Sequence, residues 1–539
     1  MLWFSLLVLI PLLAIVIQAS EGGWQAYWDA LTSPQTAAAL RLTVTQALLV
    51  TLVNIVMGTT IAWVLVRDRF WGKQILEVVI DIPFALPTIV AGLVLLSLYG
   101  PSSPLGIDWA NTRVAVFLAF LFVTLPFVVR TVQPVLLELE PEVEEAAASL
   151  GATRFRTFAS IILPALAPAI TSGAALSFAR GLSEYGSLVL LSGNLPYSTE
   201  VASVRILSYV EGDKLTEAAA VASILLVVAL LVIVLSTASP GGWPGMAEVL
   251  TEPPVTARAA VTGKVITVRS HSGFRWVPRL VVITYLFFLV IWPVALVAKA
   301  TFSRGLAPVI EALQQPDVLF AFQLTLSIAF WAVLINTVFG VIISILLTRY
   351  TFPGRRALSA MIDVPLSVSP IVVGLALLLV YSGRTGWLGG VLESAGLQIV
   401  YAPPGMIMAT AFVSLPLVIR ELVPVLNEIG TDQEQAARSL GASAMQSFLR
   451  ITLPAIKWAL LYGVVLSLAR SLGEFGAVKI VSGGVAMRTQ TATLLVEERY
   501  QQFGLDNTIT AYTAAFVLAL IAVIALVVVT SLRPKEEYR

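Results

Sequence analysis

Residues 145–164 read EAAASLGATRFRTFASIILP, and residues 435–454 read QAARSLGASAMQSFLRITLP. Glu145, Ala146, Ala147, Gly151, Leu163 and Pro164 stand against Gln435, Ala436, Ala437, Gly441, Leu453 and Pro454, each pair 290 residues apart. Both stretches are polar breaks between long apolar runs. Read locally, the first is two short helices broken at a glycine. Pro141 suits a first helical position, and Glu142, Glu144 and Glu145 favour the positive end of a helix. Gly151 can take the left-handed conformation that stops it. Thr153 and its counterpart Ser443 are N-caps for the second helix. The alanines leave room for a partner to approach the backbone, and Leu163-Pro164 and Leu453-Pro454 read as re-entry into the apolar layer. A loop that merely joins two spans needs no such pattern, so one polar seat per half predicts two copies of a docking partner.

Working outward, the chain has 539 residues, 58% hydrophobic and 12% charged, with a mean hydropathy of +0.90. Soluble domains carry roughly a quarter of their residues charged, so this is an integral membrane protein. With 33 basic against 32 acidic residues it shows no nucleic-acid signature. There is no cysteine and one histidine, His271, which excludes disulfide scaffolds and leaves zinc or haem without ligands. No G-x4-G-K-[ST] phosphate loop occurs, so the chain cannot hydrolyse ATP alone.

Runs long enough to cross a bilayer need about 20 helical residues. They fall near 1–19, 41–66, 77–100, 113–133, 162–186 and 216–236, and again near 280–300, 321–348, 358–381, 405–425, 452–476 and 508–531. The first run could also pass for a cleaved signal; a matching run near 280–300 favours a membrane helix. The halves are thus 1–236 and 280–539, joined by a Pro-, Gly- and Arg-rich linker at 237–279. FVTLPFVVRTVQPVL at 122–136 and FVSLPLVIRELVPVL at 412–426 share nine of fifteen positions. PFALPTIVAGL at 83–93 matches PLSVSPIVVGL at 365–375, offset by 282. An even number of spans per half makes the repeats parallel, related by an axis along the membrane normal. Lys/Arg bias sets orientation. Arg67, Arg69 and Lys73, then Arg349, Arg355 and Arg356, and the linker's Arg258, Lys264, Arg269, Arg275 and Arg279 place both termini, the linker and both polar loops in the cytoplasm.

The signature Glu-Ala-Ala-x3-Gly-x9-Ile-x-Leu-Pro resembles that of the permease subunits of bacterial ABC importers. The resemblance implies an all-α polytopic protein of the type I importer fold, with two parallel repeats of about six transmembrane helices. It also implies that each loop is a coupling helix seated on one of two cytoplasmic ABC ATPase subunits, which bind MgATP while this chain binds no cofactor. Further implied are an extracytoplasmic substrate-binding protein, docked on outer loops including 185–215 and 476–507, and a location in the bacterial plasma (inner) membrane. The family's docking glutamate falls on Glu145; in the second half that position is Gln435, preceded by Glu434. More finely, the halves are similar to the T and W subunits of sulfate/thiosulfate permeases. That implies a natural fusion carrying sulfate or thiosulfate. Molybdate and tungstate permeases are close relatives of that pattern, and fused ferric-iron and thiamine permeases more distant ones. A secondary transporter would share repeats and buried charges but needs no docking loops.

Charges inside the spans are costly and usually face the bundle interior or a wet cavity. Arg180 with Glu184, and Arg470 with Glu474, lie four residues apart, which places each pair on one helix face. Two readings stand: arginines lining the outer part of an anion path, or internal ion pairs that fix packing or gate the pore. Arg130 and Arg420 read as interface anchors or contacts to the coupling region. The third runs hold Pro83, Pro87 and Gly92 against Pro365, Pro370 and Gly374, either a broken helix beside the path or a packing kink.

Overall fold

A computed structural model describes residues 4–68, 70–238 and 276–532. The linker's central residues, including His271 and the basic residues 258–275, and Arg69 lie outside the described residues. Nine described helices are long and apolar enough to cross a membrane, or twelve spans if each bent pair counts as one. In the first half the spans are the pair Ser5–Glu21 and Gly23–Thr32, bent by 99°, then Pro34–Arg67, the pair Lys73–Ala85 and Thr88–Tyr99, Arg113–Glu138, Phe155–Leu182 and Leu215–Ala238. In the second half they are Trp276–Phe302, Pro316–Arg349, the pair Arg355–Ser367 and Pro370–Tyr381, Pro403–Ile429, Ala444–Leu472 and Leu505–Leu532.

Several boundaries differ from the sequence reading, for identifiable reasons. Each third run is a broken span, bent by 117° in the first half and 111° in the second. The break falls at Leu86-Pro87 and at Ser369-Pro370 because a residue before proline is pushed to extended backbone; Leu86 has ψ 136 and Ser369 ψ 133. Pro83 and Pro365 remain inside their helices. Leu163-Pro164 and Leu453-Pro454 do not begin the fifth spans. Helix is already running from Arg154 and Ala444, through a π-turn, into the membrane. Leu163 N–H reaches back to Phe158 O, and Leu453 N–H to Phe448 O. The same turn precedes Pro11 and Pro293 in the first spans. A mid-helix proline lacks its own N–H and clashes with the carbonyl four residues back; a π-turn just upstream re-routes that bonding without breaking the helix. The last expected linker residues, 276–279, are already helical.

The second, fourth and fifth spans of each half pack through small residues, as helices in lipid do. A Cβ on Gly58 would lie 2.7 Å from Cβ of Val128, and one on Gly340 2.8 Å from Cγ1 of Val418. Asn54 Nδ2 donates across this seam to Thr124 Oγ1 at 2.7 Å and Ser177 Oγ at 3.0 Å; its counterpart Asn336 donates to Ala411 O and Ser414 Oγ. Gly58→Val is therefore expected to destabilise the chain by about 1–3 kcal/mol through overpacking. Thermal unfolding of the detergent-purified protein would show it, and an unchanged Tm would refute so tight a seam.

The halves of the sequence are not separate bodies. The first span of each packs against the broken third span of the other. Tyr381 Oη donates to Leu6 O at 2.7 Å, and Tyr99 Oη to Phe288 O at 2.9 Å. Arg279 Nε, at the start of the second half, donates to Asp68 Oδ2 at 2.6 Å.

Candidate functional site

The fourth span of each half descends to one end of the bundle and there releases the short helices Pro141–Ser149 and Asp432–Ser439. Their ends follow from glycine. Gly151 and Gly441 take φ of +80 and +87, which side chains disfavour. The following Ala152 N–H then closes on Ala147 O, and Ala442 N–H on Ala437 O, both at 3.0 Å. Thr153 Oγ1 accepts from Arg156 N–H, and Ser443 forms a full capping box with Gln446. The helix after each cap is not a second short one but the fifth span itself, so each elbow is rigidly continuous with a membrane helix.

Glu145, Ala146, Gly151, Gln435, Ala436 and Gly441 are exposed, while Ala147 is buried and Ala437 half-buried. On the fifth spans Leu163, Pro164 and Pro454 are exposed and Leu453 is half-buried. The replacement of Glu145 by Gln435 thus falls on outward-facing positions, and Gln435 Nε2 only donates locally, to Thr431 Oγ1. The acid kept in both halves sits one residue earlier and faces inward. Glu144 Oε1 lies 2.5 Å from Arg67 Nη2, and Glu434 Oε1 lies 3.1 Å from Arg349 Nη2. Thr452 Oγ1 also donates to Glu434, and Arg349 Nη1 to Leu426 O. Each elbow is thereby tethered to the end of its second span.

Sequence reasoning missed the side chains that the elbows present. Leu150 and Leu440, at matching positions, are each 89% exposed. Phe155 and Met445, again matching, stand beside them at 81% and 65%. Large apolar residues held out in equivalent pairs mark an interaction surface. The available signal was a Leu just before the Gly in both copies.

Inside the bundle, Arg180 Nη2 lies 2.6 Å from Glu184 Oε2, and Arg470 Nη2 lies 2.9 Å from Glu474 Oε2. These pairs do not share a helix face as the spacing suggested, because the fifth spans end at Leu182 and Leu472. Each carboxylate, nearly fully buried, instead caps the next turn: Glu184 Oε1 accepts from Ser187 N–H and Oγ–H, and Glu474 Oε1 from Ala477 N–H. The guanidinium sides are more open, 17% and 27%. Arg130 and Arg420 join the fourth spans to the third. Arg130 Nε donates to Asp81 Oδ1 at 2.9 Å and Nη1 to Gln133 Oε1, and Arg420 pairs with Asp363. Asp81 and Asp363, 282 apart, were legible as acids at matching places inside the apolar runs.

At the opposite end, two turns repeat in detail. Thr199 Oγ1 accepts from Leu195 N–H and Thr489 Oγ1 from Val485 N–H, and Arg113 Nε, at the far end of the fourth span, donates to Ser198 O. Tyr197 and Met487 have φ of 62 and 59 and are 60% and 51% exposed. Such strained, exposed non-glycine positions concentrate where proteins bind partners. Short, largely buried helices make up much of 185–215 and 476–507, and what the region exposes is these turns together with 211–214 and 501–506, where Phe503 stands fully exposed. Nearby, Lys479 Nζ lies 2.6 Å from Glu497, whose pKa burial pushes up and the lysine opposes. The first half has Val189 and Leu207 at those positions, so this pair is not duplicated.

A duplicated helical bundle with two matching exposed elbows at one end, paired charges within and twin exposed turns at the other end defines a type I importer permease. The chain belongs to the family of binding-protein-dependent transport system inner membrane components, whose model matches residues 54–239 and 336–537. It is similar to the sulfate transport system permease protein CysW of Synechococcus elongatus, 49% identical over 243 residues, 45% of this chain and 84% of that one. It is also similar to the sulfate transport system permease protein CysT of Salmonella typhimurium, 43% identical over 240 residues, 43% of this chain and 87% of that one. A chloroplastic sulfate permease 2 of Chlamydomonas reinhardtii is 46% identical over 250 residues, 46% of this chain and 67% of that one. Permease subunits of this kind are not themselves enzymes.

Proposed function

We propose that this single chain forms the entire transmembrane path of an ATP-driven importer for sulfate, with thiosulfate as a second substrate. The observation that carries the reading is the pair of exposed elbows, each with an outward leucine, in a chain whose similarity is to both kinds of sulfate permease subunit. Two copies of a cytoplasmic ATPase seat on the elbows and hydrolyse MgATP, and the continuous fifth spans carry the motion into the bundle. An extracytoplasmic binding protein delivers the anion at the end bearing Tyr197 and Met487. The elbows, linker and both termini face the cytoplasm, in accord with Arg67, Lys73, Arg349 and Arg355 at that end. The guanidiniums of Arg180 and Arg470 border the path, where a planar fork of donors suits an oxyanion.

The test is uptake of labelled anions in a strain lacking its own sulfate permease, supplied with this chain, its ATPase and its binding protein. ATP-dependent sulfate uptake, inhibited by thiosulfate, is the expected result. Uptake of molybdate or tungstate in its place would overturn the substrate, and uptake independent of the ATPase would overturn the mechanism.

A further inference from the structure

Among the described residues, the two halves meet ring to ring at one place. Tyr185 and Phe475 occupy equivalent positions, 290 residues apart, and their rings stack with centroids 5.6 Å apart and planes within 10°. In a twofold arrangement a residue touches its own mate only where the axis passes between them. For parallel repeats that axis runs along the membrane normal, so this stack lies on the centre line of the bundle. Both rings are buried, at 2% and 1% exposure.

The surroundings leave the rings little freedom. A Cβ on Gly186 would lie 3.2 Å from Phe475 Cδ1 and closer still to Thr88 Oγ1. One on Gly476 would lie 2.9 Å from Pro370 Cβ and 3.4 Å from Tyr185 Cδ1. Each ring is therefore wedged beside the break of a third span. Each also comes directly after Glu184 or Glu474, whose carboxylate ties the turn to the arginine at the end of the fifth span. The fifth span runs unbroken, apart from its π-turn, back to the elbow. One mechanical line thus joins elbow, helix, ion pair and ring in both halves, and the two lines end against each other.

We propose that the Tyr185–Phe475 stack is the gate of the anion path: it seals the pore on its axis and parts when the elbows drive the fifth spans asunder. This rests on the reading of the chain as a pore. Two apposed π faces offer a dianion neither a donor nor water, so the path is closed while they touch. Arg180 and Arg470 stand five residues before the rings, where they can hold an anion at the barrier.

The test uses passive leak, which needs no ATPase. The full chain, purified and reconstituted into phospholipid vesicles loaded with labelled sulfate, is expected to retain it. Tyr185→Ala with Phe475→Ala should release it at least tenfold faster, whereas Tyr185→Phe, which keeps the stack, should retain it. Because the chain has no cysteine, Tyr185→Cys with Phe475→Cys can be bridged selectively by a bis-methanethiosulfonate reagent. The reduced variant should leak, the bridged one should hold, and reduction should restore the leak. A leak that bridging does not stop overturns the gate, as does retention by the double alanine variant. Failure of the pore reading itself would appear separately, as absence of ATP-driven uptake by the unmodified assembled importer.

Discussion

Leu150→Asp combined with Leu440→Asp is expected to strip the permease of its ATPase. Both side chains stand almost wholly in water on otherwise separate elbows, and neither supports the fold from within. Losing a central apolar anchor costs about 2 kcal/mol or more at each seat, so two losses weaken assembly by roughly a thousandfold. An affinity-tagged chain should no longer co-purify ATPase, and ATP-driven uptake should fall to background. The unfolding temperature should move little, since exposed substitutions away from packing rarely shift stability. Retained ATPase in the pull-down would mean that the elbows are not its seats. The single variants should be unequal. Phe155 beside Leu150 offers a larger neighbouring anchor than Met445 beside Leu440, so the first elbow should tolerate its loss better.

Arg420→Ala is expected to cost about 3–5 kcal/mol, because it leaves the Asp363 carboxylate uncompensated within the bundle. The arginine is 8% exposed and the aspartate 19%, so water can replace little of what is lost. Thermal unfolding in detergent, and the yield of membrane-inserted chain, should both fall. Arg420→Met with Asp363→Leu should recover most of the loss, since an ion pair replaced by apolar groups of similar size is often neutral. Arg420→Lys should recover only part, because a point charge cannot reproduce the guanidinium fork. If Arg420→Ala unfolds at the unmodified chain's temperature, the pair contributes nothing and the third span is held by packing alone. Arg130→Ala should cost less, as Arg130 and Asp81 are more open to solvent.

The elbows were readable because their determinants are local. A glycine that ends a helix, a hydroxyl that caps the next and a first-turn proline act within a few residues, so their pattern survives in a linear reading. The same locality hid the errors. Leu163-Pro164 and Leu453-Pro454 read as the points of re-entry after a short second helix, yet π-turns from Phe158 and Phe448 carry one continuous helix past them. Glu145 and Gln435 drew attention as the mismatched pair, yet Glu144 and Glu434 make the intramolecular bonds, and which acid faces inward depends on where Arg67 and Arg349 arrive. Arg180 and Glu184 were rightly paired by spacing, but the helix stops between them and the carboxylate turns to cap the next segment.

Apolar length, the 290-residue echo and the glycine-broken elbows were determined by the amino-acid sequence alone, since each follows from the preferences of neighbouring residues in lipid or water. Only the tertiary structure decided that the first spans cross to the opposite halves, that Leu150 and Leu440 stand free and that Tyr185 meets Phe475. Those outcomes depend on which surfaces find each other across hundreds of residues, and side-chain spacing along one strand of text carries no record of that encounter.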